Sequence, residues 1–290
     1  MKPFYDVIII GAGPGGAAAG TFFSKVNKKV LVIDKRKETD LTACGGVTAP
    51  DFYADFGFPV EKMKKHAVML ERFIDQKNGE IISDTENPGT WYGMKGSETD
   101  RFFRNFAKDN GVEFAFEETV RNIEKSDGLF EVNGRTCKYV ILACGALSPI
   151  TVGGVRIPQG NGILYGTSAE FEGKVADKPF YLTDRSYENK SEYAFIKTVG
   201  NGRYSVGVVL NNPSKIKEEF DQFVQNKISS WIGKDFKMVS KPTEKLIGTG
   251  ENVESPIPNL FLIGDTANSS SETGEGVRQS VFDADQVFHT

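Results

Sequence analysis

The stretch Asp6-Val7-Ile8-Ile9-Ile10-Gly11-Ala12-Gly13-Pro14-Gly15-Gly16 constrains this chain more than any other. The β-branched run Val7 to Ile10 suits a parallel strand buried on both faces. Gly11, Gly13 and Gly16 fit the G-x-G-x-x-G pattern. Gly11 allows the tight turn, Gly13 lets the backbone approach a phosphate, and Gly16 lets helix and strand touch. Gly16 to Lys25 then reads as a helix with a small-residue start, and Lys29 to Asp34 as a second parallel strand. This βαβ order holds a dinucleotide pyrophosphate at a helix N-terminus. Asp34 closes the second strand about 20 residues downstream, where a carboxylate can accept ribose hydroxyls and disfavours a 2′-phosphate. The cofactor expected here is therefore FAD or NAD rather than NADP; taken alone, Asp34 also reads as a solvated acid at a strand end.

Composition removes several classes. The 290 residues are ample for one large domain or two joined ones. A net charge of −4 argues against nucleic-acid binding by bulk charge. Cys44, Cys137 and Cys144 are too few and scattered for a secreted disulfide framework and fit a reducing cytoplasm. No run approaches the ~18 apolar residues of a membrane span, and the opening residues enter a strand at once, so no signal peptide is expected. The expected location is cytoplasmic, with peripheral membrane contact left open. His66 and His289 are the only histidines, and with no Cys/His cluster no metal site is expected.

Further along, short strands are expected at Ala67–Leu70 and Gly79–Ile82, a helix over Glu98–Asn110, and strands at Val112–Phe116, Val120–Lys125, Leu129–Val132 and Tyr139–Ala143. From Ile150 to about Val239 the texture changes to scattered glycines and short strands, including Tyr193–Ile196 and Tyr204–Leu210. Lys215–Ile232 has one apolar stripe (Ile216, Phe220, Phe223, Val224, Ile228) and predicts a helix. Asn259–Asp265 reads as another parallel-type strand and Gly276–Phe288 as a closing helix.

Gly264-Asp265 gives the second chemical signal. An acid after a parallel strand beside the first βαβ unit can bind ribityl or ribose oxygens of an extended cofactor. Thr273-Gly274-Glu275-Gly276-Val277 then enters a helix whose positive end suits a flavin edge that gains negative charge on reduction. Each piece alone is an ordinary cap. Together with the N-terminal glycines they point to FAD.

The pairing of Gly11 to Gly16 with Gly264-Asp265 and Thr273 to Gly276 resembles flavoproteins of the p-hydroxybenzoate hydroxylase fold, and within it the geranylgeranyl reductase family. Cys44-Gly45-Gly46 is similar to that family's cysteine-glycine loop beside the flavin. Asp100-Arg101-Phe102-Phe103 through Ala107 and Gly111 resembles its Arg-x-x-Phe helix, whose arginine approaches the FAD. Tyr193-Ala194-Phe195-Ile196 sits where the family has Tyr-x-Trp-x-Phe-Pro. Phe195 here stands for the tryptophan and Lys197-Thr198 for Phe-Pro, and Ser271 stands where a proline often precedes the Thr-Gly-Glu-Gly turn. The chain ends just after the FAD helix, so the C-terminal region many relatives carry is expected to be missing. The cofactor-binding set implied is Gly11, Gly13, Pro14, Gly15, Gly16, Asp34, Lys35, Cys44, Gly45, Arg101, Val120, Gly145, Asp265, Gly274, Gly276 and Val277.

The expected fold is α/β: a Rossmann-like FAD-binding domain over 1–65, 95–150 and 245–290, with an inserted, mostly antiparallel β-sheet substrate domain over 66–94 and 151–244. Cys44 and Tyr193 are the candidate catalytic residues, Cys44 reading equally as a small space-filling residue. Trp91, Tyr165, Tyr193 and Phe195 are candidate substrate-pocket residues, aromatics that also read as core. No second nucleotide fingerprint is visible, so electrons are expected from an external donor, NAD(P)H or reduced ferredoxin. The leading expectation is hydride transfer from reduced flavin to a carbon–carbon double bond of an apolar, isoprenoid or prenyl-lipid substrate. The alternatives are a flavin monooxygenase or halogenase, an electron-transfer flavoprotein, and a scaffold that keeps FAD for structure alone, since one fold hosts many chemistries.

Overall fold

A computed structural model describes the chain except residues 1, 41–46, 49, 63–66, 69, 75–80, 86–90, 94–95, 148, 159, 161, 177–179, 185–190, 201 and 271–275. In chain order the elements begin with β1 (Phe4–Ile10), α1 (Pro14–Lys25), β2 (Val30–Ile33), β3 (Val47–Thr48), α2 (Pro50–Asp55), β4 (Ala67–Val68), β5 (Leu70–Ile74), β6 (Ile81–Thr85), β7 (Trp91–Gly93) and α3 (Gly96–Asp109). There follow β8 (Glu113–Ala115), β9 (Asn122–Ser126), β10 (Leu129–Val132), β11 (Arg135–Leu142), β12 (Thr151–Val152), β13 (Val155–Arg156), β14 (Gly162–Glu172), β15 (Phe180–Asp184), β16 (Tyr193–Gly200) and β17 (Arg203–Leu210). Then come α4 (Ile216–Asn226), α5 (Ser229–Ile232), β18 (Lys237–Met238), β19 (Thr243–Thr249), β20 (Leu260–Leu262) and α6 (Gly276–His289).

The chain divides into two compact units. One comprises Met1–Asp40, Asp100–Ile163 and Ile247–Thr290; the other comprises Leu41–Thr99 and Leu164–Leu246. In the first, β1 is the central strand. Val7 to Ile10 pair in parallel with Val30 to Ile33 of β2 on one side and Tyr139 to Leu142 of β11 on the other. β8 extends the parallel sheet beyond β2, and β20 pairs in parallel with the end of β11. The start of β11 pairs antiparallel with β10, which continues through β9 to β12 and β13. Val7, Ile8 and Ile9 are wholly buried because a parallel strand is covered on both faces. The small residues of α1 lie close on this sheet, and α6 packs beside α1.

The second unit contains the sheet β18-β14-β17-β16-β15-β5-β6, with β19 beside β14, and the small sheet β3-β7-β4. β14 with β17, β17 with β16, and β16 with β15 pair antiparallel, whereas β15 pairs in parallel with β5. Ala194, Ile196, Tyr204, Val206, Val208 and Leu210 face a core closed by Ile216, Phe220, Phe223, Ile228 and Ile232 of the α4–α5 region. The helix expected over Lys215–Ile232 is broken at Lys227. There the Ser230 hydroxyl donates to the Lys227 carbonyl, an alternative to the helical ladder. The apolar stripe continues past the break through Ile228 and Ile232. Among the described residues no helix is long and apolar enough to cross a membrane.

Ile141 is fully buried at the centre of β11. Ile141→Ala should lower the unfolding free energy by about 2–5 kcal/mol, the usual cost of a core cavity, read from the urea midpoint at unchanged slope.

Candidate cofactor site

Within the first unit, the turn between β1 and α1 is held by contacts that leave no room for a side chain. A Cβ on Gly16 would stand 1.9 Å from the Gly11 carbonyl oxygen, and one on Gly11 would stand 2.2 Å from the Ala143 oxygen. Gly11 also has φ +110°, which favours glycine. Gly15 meets α6, where a Cβ would lie 2.7 Å from Ser280 Cβ. Gly13 is different. Its φ is −73° and, among the described residues, no atom lies within 4 Å of where its Cβ would stand, so none of them requires glycine there. That space at the N-terminus of α1 could take a pyrophosphate, and Pro14 stands in the first helical position, where a missing N–H costs nothing.

Asp34, just past β2, is almost wholly buried and works as a hub. Its Oδ2 accepts from the Ala12 N–H at 2.7 Å and from Arg36 Nη2 at 2.8 Å; its Oδ1 accepts from the Arg36 N–H at 2.8 Å and Nε at 3.1 Å. Burial alone would raise the Asp34 pKa. The Arg36 hydrogen bonds and charge, aided by the two backbone donors, outweigh it and hold the carboxyl below its ordinary value. Arg36 Nη1 reaches Asp100 Oδ2 at 3.7 Å, and Asp100 faces Arg104 one turn along α3, with Nη2 3.3 Å away. Arg104 donates from Nε to the Ala12 carbonyl at 2.7 Å and from Nη1 to the Glu38 carbonyl at 3.0 Å. Burial draws the Arg104 guanidinium below its ordinary pKa, with Asp100 opposing.

At the β20 end a second cluster forms in the same unit. Gly264 has φ +60° and its N–H donates to Asp283 Oδ2 at 2.8 Å. The Ser269 hydroxyl and Gln279 also donate to Asp283, so this α6 carboxylate ties the turn to its helix. The Ser270 hydroxyl donates to Asp265 Oδ1. A Cβ on Gly276 would lie 2.6 Å from Ser270 Oγ and 3.1 Å from that Asp265 oxygen, so the start of α6 abuts the acid. Thr266 Oγ1 accepts from the Gly145 N–H at 3.0 Å and donates to its carbonyl at 3.2 Å, fixing the left-handed Gly145 after β11.

The structure thus places Gly11, Gly13, Pro14, Gly15 and Gly16 at one turn and its helix start, with Asp34 bonded to that turn through Ala12. It places Gly145, Asp265, Gly276 and Val277 at the ends of β11, β20 and α6. Lys35 is exposed beyond β2, and Val120 is buried in the core rather than opening the expected strand, which starts at Asn122. Arg101 is exposed on α3, whereas Arg104, absent from the expected set, is buried against the turn. Counted from Arg101, Arg104 occupies the phenylalanine position of Arg-x-x-Phe. Cys44, Gly45 and Gly274 lie outside the described residues.

In the second unit, Tyr193 and Phe195 are buried on β16 with ring centroids 6.3 Å apart. Alternation turns them to the sheet face opposite Ala194 and Ile196, away from α4 and α5. The Phe195 ring lies over Gly207, where any Cβ would meet it at 2.6 Å. Tyr165 is not brought to them. It pairs with Leu210 while Tyr193 pairs with Val209, so Tyr165 points to the helix-covered face and packs on that core. Trp91 is in β7, a strand lying against β16. Lys197, fully buried, shares the Phe195 face. Among the described residues no His, Cys, Asp and Glu cluster could hold a metal ion. Burial pushes the Cys137 thiol up to about 12, which makes it inert at neutral pH.

The family described as FAD binding domain matches residues 4–288. An uncharacterised protein of Methanosarcina barkeri is 32% identical over 147 residues, which cover 49% of this chain and 37% of that one. Digeranylgeranylglycerophospholipid reductase of Methanocaldococcus jannaschii is 25% identical over 303 residues, covering 96% of this chain and 74% of that one. Among solved structures, a geranylgeranyl bacteriochlorophyll reductase-like protein of Thermoplasma acidophilum superposes with a TM-score of 0.81 at 18% identity, over 99% of this chain and 77% of that one. The last likeness establishes the fold.

Two outcomes follow for the turn. Gly13→Val should change the ligand-free unfolding free energy by no more than about 1 kcal/mol while weakening FAD binding roughly ten-fold or more, measured by flavin fluorescence. Asp34, with its folded pKa lowered, stabilises fully above its unfolded pKa of about 3.9, and that contribution is lost as pH falls through the folded value. In urea titrations the stability gap between wild type and Asp34→Asn should be constant above about pH 5 and shrink below about pH 4.

Proposed function

Because the chain belongs to the FAD binding domain family, whose match spans residues 4–288, we propose that this FAD-dependent oxidoreductase reduces carbon–carbon double bonds of an isoprenoid or prenyl-lipid substrate. Support comes foremost from likeness to a digeranylgeranylglycerophospholipid reductase along 96% of the chain. Bound FAD would supply the hydride for one carbon of the double bond. The backbone turn at Gly11 to Gly16 would take the pyrophosphate, and Asp265, Gly276 and Val277 would lie along the rest of the cofactor.

The second unit would carry the substrate. Tyr193 and Phe195 would offer a buried aromatic surface on the sheet face opposite α4 and α5, where Gly207 makes room for the Phe195 ring. Such a surface suits a hydrocarbon chain, whose transfer from water is worth about 0.8 kcal/mol per CH₂. Tyr193 carries a phenol that can give a proton to the neighbouring carbon, and we assign it, with Cys44, to the reacting end. Trp91 is assigned to the same lining, while Tyr165 acts only through the core beneath. Electrons would come from an external donor, NAD(P)H or reduced ferredoxin.

The test is anaerobic mixing of dithionite-reduced holoprotein with a geranylgeranyl lipid. The expected result is oxidation of the flavin absorbance together with product heavier by one pair of hydrogens per double bond. Unchanged flavin with every prenyl lipid would contradict the assignment. Substrate-stimulated oxygen uptake with an oxygenated product would place the chain among monooxygenases. Tyr193→Phe should slow flavin oxidation by about 10²-fold or more, the usual size of a lost proton donor.

A further inference from the structure

Both peptide groups flanking Ala12 are held by side chains that sit almost wholly out of solvent. The peptide before it gives its N–H to Asp34, and the peptide after it gives its carbonyl to Arg104. Those side chains close a ring: Asp34 is forked by Arg36, Arg36 reaches Asp100, and Asp100 faces Arg104. No cis peptide occurs among the described residues. In a planar trans peptide the C=O and the following N–H point in opposite directions. With the Ala12 carbonyl turned onto Arg104, the Gly13 N–H points the other way, on the residue whose Cβ position is open. A flip of that peptide would aim a carbonyl dipole where the N–H now points, and a phosphate there would be repelled.

We propose that Arg104, seated by Asp100, is a positioning residue of the cofactor site: it holds the Ala12–Gly13 peptide so that the Gly13 N–H faces the pyrophosphate. The same ring gives Asp34 a role distinct from ribose binding. Its two oxygens already accept four donors, which is the ordinary capacity of a carboxylate. Asp34 fixes the peptide before Ala12 and Arg104 the peptide after it. The role rests on FAD binding and is independent of the substrate. It also explains why an arginine stands on the apolar stripe of α3 with Phe103 and Ala107, both buried. A lysine there has one head group for three partners (the Ala12 and Glu38 carbonyls and Asp100), so it replaces the guanidinium only in part.

The experiment measures dissociation constants of FAD and ADP, by calorimetry, for full-length wild type, Arg104→Gln, Arg104→Lys and Asp100→Asn, with the melting temperature of each ligand-free protein alongside. Arg104→Gln should weaken FAD and ADP by the same factor, about ten-fold or more, the size of one charge-assisted hydrogen bond. Arg104→Lys should fall between it and wild type, and Asp100→Asn should shift both ligands in the same direction. A merely structural arginine would lower the melting temperature and leave both constants of the folded protein within about two-fold. That result overturns the proposal. If Arg104→Gln does not fold, Arg104→Lys and Asp100→Asn decide it by the same comparison. A wild type that binds neither FAD nor ADP would overturn the proposal and the FAD assignment together.

Discussion

The contact of Gly16 with the Gly11 carbonyl is what the rest of the first unit depends on. It lets α1 start directly on the end of β1, so the helix N-terminus, with its unpaired N–H groups, comes out at the edge of the parallel sheet. Any side chain at 16 would push the helix away, and at 11 it would push β1 from β11. The central strand is pinned between β2 and β11 over four consecutive pairs on each side, so the turn cannot move to relieve such a clash. Strand burial fixes where the turn is. Buried charges then fix how its peptides face.

Those charges form a hub that stability alone does not account for. A largely buried ionic ring returns little net stability over apolar packing, because taking the ions from water costs much of what their attraction gives. What it supplies is orientation: Asp34 and Arg104 grip opposite sides of one residue. The Asp283 cluster does the same on the other side of the site, holding the Gly264 N–H through α6, while Thr266 holds Gly145. Each backbone segment around the site is thus tied by a side chain from a different element.

The glycine turn, the parallel strands and the closing helix were legible because each is set by local chemistry: β-branched runs, glycines with a stated steric reason, and an acid at a strand end. Arg104 was not legible from the motif, which drew attention to Arg101. It had a signal nonetheless, since Asp100 and Arg104 are charges four apart on the buried stripe of α3 with Phe103 and Ala107. Tyr165 illustrates another gap. Whether it shares a face with Tyr193 depends on the register of β14, β17 and β16, and composition carries no information on register. The break at Lys227 was hidden for a related reason, as the apolar stripe runs through it unbroken.

The second unit has a different economy of polar groups. Its helix-covered face is an ordinary core, while its other face carries Tyr193, Phe195 and a buried Lys197. The central claim is that the turn at Gly11 to Gly16 holds FAD. The most direct measurement is the identity and stoichiometry of the cofactor released by acid from protein saturated with a mixture of FAD, FMN and NAD and then desalted. The account predicts FAD alone, at about one per chain. Release of NAD or FMN in its place, or of no nucleotide, would contradict it.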